Sequence, residues 1–306
     1  MTAASPATTV VAGAAEPTEP PAAAVPAAAP GTATPDASTG KIARPRRYLM
    51  CRPTHFEVTY EINAWMDSDV PVDPALAMRQ WETLRQAYLD LGHQVEVIEN
   101  APGLPDMVFA ANAGTVIDGT VVPAKFLNSE RAGEEAPYTA WFREHFDSVV
   151  EPTFVNEGEG DYLWTGSRLL AGSGFRTDPR AHDELAGALG VTVQPLELVS
   201  PYFYHLDTAL TILGDDEIAY IPEAFSDESQ RVLSELYPEA IHVSLPDAQW
   251  FGLNATSDGR NVVVAQQAEG MQQALAAAGY VPVPVDVSEF RKAGGGIKCC
   301  TLELRG

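Results

Sequence analysis

Aligning the short apolar segments of this 306-residue chain brings Asn112, Asp161, Asp207, Asn254 and Cys300 into one register, with separations of 49, 46, 47 and 46 residues. So regular a repeat restricts the fold more than composition does, because each unit must form the same small structure and bury its apolar face against its neighbours. At the register positions the sequence reads AGTVIDGTVVPA, DYLWTGSRLLAGS, TALTILGDDEIAYIP and ATSDGRNVVVAQ, four pairs of short strands that turn at Gly or Asp clusters. Apolar residues at helical spacing predict helices over 74–91, 137–146, 179–189, 226–237 and 269–278, three of them opening on proline, a favoured first helical residue. A fifth pair lacks one arm at each end of the chain, and RYLMCR near the start and CTLELR at the end supply those arms. The expected fold is therefore an α/β, fivefold pseudosymmetric propeller closed by its N- and C-terminal strands.

In such a ring, equivalent strand starts converge on one axis. The residues brought there are Ala111 and Asn112, Glu159 and Asp161, His205 and Asp207, Asn254, and Cys299 with Cys300. Any one of them has an ordinary explanation; His205 in YFYHLD, taken alone, reads as a core histidine. Together they do not, since burying a thiol, an imidazole, carboxylates and carboxamides without a ligand would be costly.

The charge balance narrows the ligand. A formal net charge of −23 repels nucleic acid and anionic membrane surfaces and draws in small cationic substrates. Three cysteines, two of them adjacent, make no disulfide framework, which points to a reducing cytoplasm. The first 43 residues are almost all Ala, Pro, Thr, Ser and Gly and are expected to be a disordered tail, without the marks of a secretory or transit signal. Residues 44–306 are expected to form a single catalytic domain. The six histidines are scattered and no CxxC or HExxH pattern occurs, so neither a metal nor another cofactor is expected. A homo-oligomer is compatible with the sequence.

Near the C-terminus the chain reads GGGIKCC. Glycines allow close backbone approach to a ligand, and a thiol beside Lys298 is a candidate nucleophile. The same residues also fit a glycine turn into a buried strand whose cysteines are small apolar fillers.

Five strings, PDMVFAANAG (105–114), EGEGD (157–161), SGFRTDPR (173–180), HLD (205–207) and GGGIKCC, taken in order, resemble the pentein superfamily of guanidino-group-modifying enzymes. Its members include arginine deiminase, dimethylarginine dimethylaminohydrolase, glycine amidinotransferase and bacterial arginine dihydrolase. The resemblance spans roughly Arg47 to Arg305. It implies Cys299 as nucleophile, His205 as general acid and base, and Asp207 as a carboxylate for the substrate guanidinium. An acid of EGEGD would orient His205; Glu159 is favoured and Glu157 left open, both being expected to share a strand face with Asp161, itself a substrate-binding candidate. Arg131 and Arg176 match positions that contact the substrate's α-carboxylate end or frame its site, and Asp106 matches a substrate-binding aspartate.

The chemistry implied is attack of a thiolate on the guanidinium carbon, departure of an amine protonated by His205, and hydrolysis of the covalent thiouronium to a ureido product. Deiminases and methylarginine hydrolases carry an acid where this chain has Asn112. Arginine dihydrolases share the MVFxANAG string and the upstream MCRPTHFEVTYEINAWM, whose Asn63 corresponds to a substrate-contacting asparagine. The expectation is thus an arginine dihydrolase giving ornithine, carbon dioxide and ammonia. A dimethylargininase, an amidinotransferase and a non-catalytic arginine-binding protein follow as alternatives.

Overall fold

Apolar runs such as VVP, LLAGS and NVVVA make good strands only when covered on both sides, and the chain arranges them as the middle strands of five small sheets. In the computed structural model, which describes residues 40–306, these middle strands are Arg47–Cys51, Thr120–Pro123, Leu169–Ser173, Glu217–Tyr220 and Asn261–Ala265. Each pairs antiparallel with an inner strand: Leu302–Glu303, Gly114–Ile117, Tyr162–Trp164, Leu210–Gly214 and Thr256–Ser257 respectively. On its other side each pairs in parallel with an outer strand, namely Gln94–Ile98, Ser148–Val149, Val193–Glu197, Ile241–His242 and Val281–Val285.

The unit is therefore strand, strand, helix, strand. Its main helices are Pro74–Asp90, Glu135–His145, Arg180–Leu189, Asp227–Leu236 and Glu269–Ala277, each within two residues of the expected bounds. Their ends follow from local chemistry. The Asp73 carboxylate accepts from the Ala75 and Leu76 amides at 2.9 and 3.0 Å, and Gly190 closes helix Arg180–Leu189 in the left-handed region. The fifth unit is closed by the pairing of Tyr48 with Glu303 and of Leu49 with Leu302, so strands from both ends of the chain complete the ring. The fold is the five-bladed α/β propeller expected from the repeat.

Two details differ from the expectation. Each blade has three strands, not two. The packed region also reaches back beyond Arg44 to Lys41, whose ammonium hydrogen-bonds Glu217 and the Tyr280 hydroxyl. The remainder of the expected tail, residues 1–39, lies outside the described residues. Among the described residues no helix is long and apolar enough to cross a membrane.

Candidate active site

A short helical turn precedes the inner strands and carries the polar residues of the repeat. Ala110–Ala113 presents Asn112, Gly158–Gly160 follows Glu157, and Leu206–Ala209 follows His205 and holds Asp207. Asn254 and Cys299 lie just before the last two inner strands. All these side chains are buried. Glycine makes the convergence possible. A side chain at Gly160 would come within 2.3 Å of Asn112 Nδ2 and 3.2 Å of His205 Nδ1. Gly158 adopts φ +55° with no room for a Cβ, which would lie 2.6 Å from the Gly114 amide nitrogen.

At the centre, Cys299 Sγ lies 3.1 Å from Asn254 Nδ2 and 3.3 Å from Asp207 Oδ2. Burial, and then the Asp207 carboxylate, push the thiol well above its ordinary pKa. Burial likewise raises Asp207 to about 6, against partly offsetting attraction from His205 and Lys298. His205 Nε2 is 2.7 Å from Glu157 Oε2, and the Arg176 guanidinium donates to the same oxygen at 3.0 Å. Burial alone would raise Glu157, but Arg176 and His205 outweigh it and hold this carboxylate at about 2. The carboxylate is therefore ionised and fixes the imidazole.

The acid that meets His205 is thus Glu157 and not Glu159. The expectation failed because the segment is a 3₁₀ turn pivoting on left-handed Gly158, so the alternation of a strand does not apply. Glu159 turns the other way, where it accepts from Lys298 Nζ at 2.6 Å, from the Glu303 amide at 3.1 Å and from Arg305. Lys298 and Arg305 help line a cavity of ≈ 640 Å³ whose walls also include Tyr48, Trp164, Thr211 and Ser257.

Asp161 also departs from its expected part. Its Oδ2 accepts from Thr177 at 2.7 Å and its Oδ1 from the Leu206 amide at 3.1 Å, so both oxygens serve to hold the turn that carries His205 and Asp207. Arg131 spends its fork on Glu134, with Nε and Nη2 each donating at 2.9 Å, and its remaining donors reach Asn112 Oδ1 at 2.8 Å and the Asp106 carbonyl at 3.2 Å. It frames the site from within instead of presenting a free fork to a carboxylate. Asn112 is oriented by that contact, its Nδ2 donating to the Glu157 carbonyl at 3.2 Å.

Two carboxylate oxygens are left over. Asp207 Oδ1 and Asp106 Oδ1 are buried without a hydrogen-bond donor, while Asp106 Oδ2 accepts from the Tyr60 hydroxyl at 3.0 Å. Burial raises the Asp106 pKa, with Arg131 and Tyr60 opposing it. Unpaired buried carboxylate oxygens are stabilised by a cationic ligand.

Residues 52–73, which link strand Arg47–Cys51 to helix Pro74–Asp90, run over this site without regular structure. Besides Tyr60, the Ile62 carbonyl accepts from Arg176 at 2.9 Å, and Asn63 donates to the Ala293 carbonyl at 3.1 Å, beside the glycine run before Cys299. Asn63 therefore ties this segment down. Sequence reasoning did not single out Tyr60, Glu134 or Tyr204, the last of which places its ring 4.7 Å from that of His205 at a tilt of 46° and donates to the Gly294 carbonyl at 2.7 Å. No short motif announces them. Among the described residues no group of His, Cys, Asp and Glu is arranged to hold a metal.

The sequence profile of the family described as "N,N dimethylarginine dimethylhydrolase, eukaryotic" matches residues 52–306. The N(G),N(G)-dimethylarginine dimethylaminohydrolase of Mycobacterium tuberculosis is 54% identical over 85% of this chain and 86% of its own length. The bifunctional arginine dihydrolase/ornithine cyclodeaminase ArgZ of Synechocystis sp. is 37% identical over 84% of this chain, which spans 37% of that longer protein. Among solved structures, the N-terminal domain of ArgZ, covalently bound to a reaction intermediate, superposes with a TM-score of 0.82 at 37% identity, covering 84% of this chain and 97% of that one.

Proposed function

The chain belongs to the N,N-dimethylarginine dimethylhydrolase family of amidino-group hydrolases, with the pentein fold, and on that premise we propose that it hydrolyses methylated arginine through a covalent intermediate on Cys299. The observation that carries the reading is the contact of Cys299 Sγ with Asp207, whose second oxygen is unpaired, two residues from a His205 fixed by Glu157. The substrate guanidinium would sit against Asp207 and Asp106, which hold its plane and concentrate its charge. Its positive charge offsets the Asp207 repulsion that adds to burial in keeping Cys299 a thiol, so the thiolate forms as the cation binds.

As the Cys299 proton passes to His205, the thiolate forms the S–C bond to the guanidinium carbon. The C–N bond to the leaving amine breaks as His205 delivers a proton to that nitrogen, and an S-alkylthiouronium remains. His205, now neutral, takes a proton from water, whose oxygen adds to the same carbon. Breaking the S–C bond releases a ureido product and returns the thiol. Glu157 holds the imidazole throughout, as its ion pair with Arg176 keeps it charged.

The sequence placed arginine first; the relative at 54% identity favours the methylated substrate. One observation keeps arginine as a second reading. Asn112 is neutral and held by Arg131, so a neutral ureido group meets no extra carboxylate there and a second hydrolysis to ornithine is chemically open. Incubation with asymmetric dimethylarginine and, separately, with arginine separates the two. Dimethylamine and citrulline from the first, with no ornithine from the second, is the expected result. Ornithine from arginine, with the methylated substrate untouched, would overturn the order.

A further inference from the structure

A buried thiol beside a carboxylate resists ionisation, so a donor that favours the thiolate is needed if Cys299 is to react. Among the described residues, the side-chain amide that reaches Cys299 is that of Asn254, which is fully buried and grips the nucleophile at two points. Its Oδ1 accepts from the Cys299 amide at 3.0 Å, and its Nδ2 lies 3.1 Å from Sγ. The same Nδ2 donates to the Asp207 carbonyl at 3.0 Å, and the Asn254 carbonyl accepts from the Lys298 amide at 3.1 Å.

The orientation of this carboxamide is forced. The Cys299 N–H can only donate and the Asp207 carbonyl can only accept, so Oδ1 must face the first and Nδ2 the second. Sγ consequently receives an N–H from Asn254. As a thiol it can still donate to Asp207 Oδ2 at 3.3 Å; as a thiolate it keeps the Asn254 amide and the Gly296 backbone N–H until the substrate cation neutralises Asp207. Gly296 belongs to the same device, because a Cβ there would lie 2.9 Å from Asn254 Oδ1.

We propose that Asn254 is a positioning residue for the reaction, fixing the Cys299 backbone with its carbonyl oxygen and holding the sulfur as a thiolate with its amide N–H. The inference rests on Cys299 being the nucleophile. The titratable groups facing the sulfur are Asp207 and Cys300, which oppose its ionisation, and Tyr204; the Gly296 backbone N–H favours the thiolate, and His205 and Lys298 act on Asp207. Asn254 is thus the side-chain donor to the thiolate among these groups.

The test measures alkylation of Cys299 by iodoacetamide against pH, with the modified peptide quantified by mass spectrometry, for the wild type, Asn254→Ala and Asn254→Asp. A hydrogen bond to a charged group sets the scale, so Asn254→Ala should raise the midpoint for Cys299 by about one to two pH units and lower kcat by about 10- to 100-fold. Asn254→Asp keeps the shape but turns an oxygen toward Sγ, and should raise the midpoint further. It carries the test alone if the alanine variant does not fold. A purely structural role would lower the melting temperature and leave the midpoint of the folded protein unchanged; that result, with unchanged kcat, overturns the inference. If wild-type Cys299 shows no alkylation that substrate blocks, the nucleophile assignment itself falls, and this inference with it.

Discussion

Replacing Asp207 by Asn should stabilise the folded protein while abolishing its activity. Burial raises Asp207 from its ordinary 3.8 to about 6, so at neutral pH the native state holds a carboxylate that the unfolded chain ionises more easily. The difference, at about 1.36 kcal/mol per pH unit, amounts to ~3 kcal/mol. Because the folded pKa is raised, the cost is absent below about pH 4, grows as the unfolded chain loses its proton, and is complete above about pH 6. An amide carries no such cost. Urea unfolding of wild type and Asp207→Asn should show a gain of ~3 kcal/mol near about pH 8 and ~1.5 kcal/mol near about pH 5, the loss of the 3.3 Å contact with Cys299 being common to both. The difference between the two pH values isolates the ionisation from all contact terms. Turnover should fall by more than about 100-fold, because the substrate guanidinium loses its carboxylate. A variant no more stable relative to wild type near about pH 8 than near about pH 5 would refute the reasoning.

Cys299→Ser should reduce turnover by about 10³-fold or more, whereas Cys300→Ser, which removes a buried thiol with no polar contact to the site, should keep kcat within about threefold. Glu157→Gln and Glu159→Gln should separate cleanly in a paired measurement of kcat and unfolding free energy. The first loses about 10²- to 10⁴-fold in kcat because His205 is no longer held by a charge. The second costs ~1–3 kcal/mol of stability, since Lys298 loses its carboxylate while Arg305 keeps Glu303, with kcat of the folded fraction nearly unchanged. The pH profile of kcat/KM should fall below about pH 6, as Asp207 gains a proton in the free enzyme and ceases to attract the cation.

The ring was legible because its repeat is written in residues that cannot sit elsewhere. The inner and middle strands are separated by tight turns such as Asp118–Gly119, both with positive φ, and Gly and Asp announce them. The outer strands escaped notice for physical reasons. Ser148–Val149 and Ile241–His242 are two residues long, and Val281–Val285 reads VPVPV, whose prolines suit only a sheet edge. In the site, the pieces were legible but not their directions. Period-two reasoning put Glu157, Glu159 and Asp161 on one face, and a single left-handed glycine sends the three carboxylates to His205, to Lys298 with Arg305, and to Thr177 with the Leu206 amide. Arg131 was expected by the resemblance to contact the substrate's α-carboxylate end or frame its site, and Glu134, three residues on, takes its fork and leaves it the framing part. Asn254 stood in the repeat register beside the others, and only the distances reveal that it holds Cys299.

The central claim is a covalent bond between substrate carbon and Cys299 Sγ. Acid quenching during turnover, followed by tryptic digestion, releases the peptide CCTLELR, which begins after Lys298 and contains both Cys299 and Cys300. Fragmentation of that peptide should locate an arginine-derived amidino adduct on Cys299, absent before substrate is added and lost as substrate is exhausted. Full turnover with no adduct on this peptide, or an adduct confined to Cys300, would contradict the account.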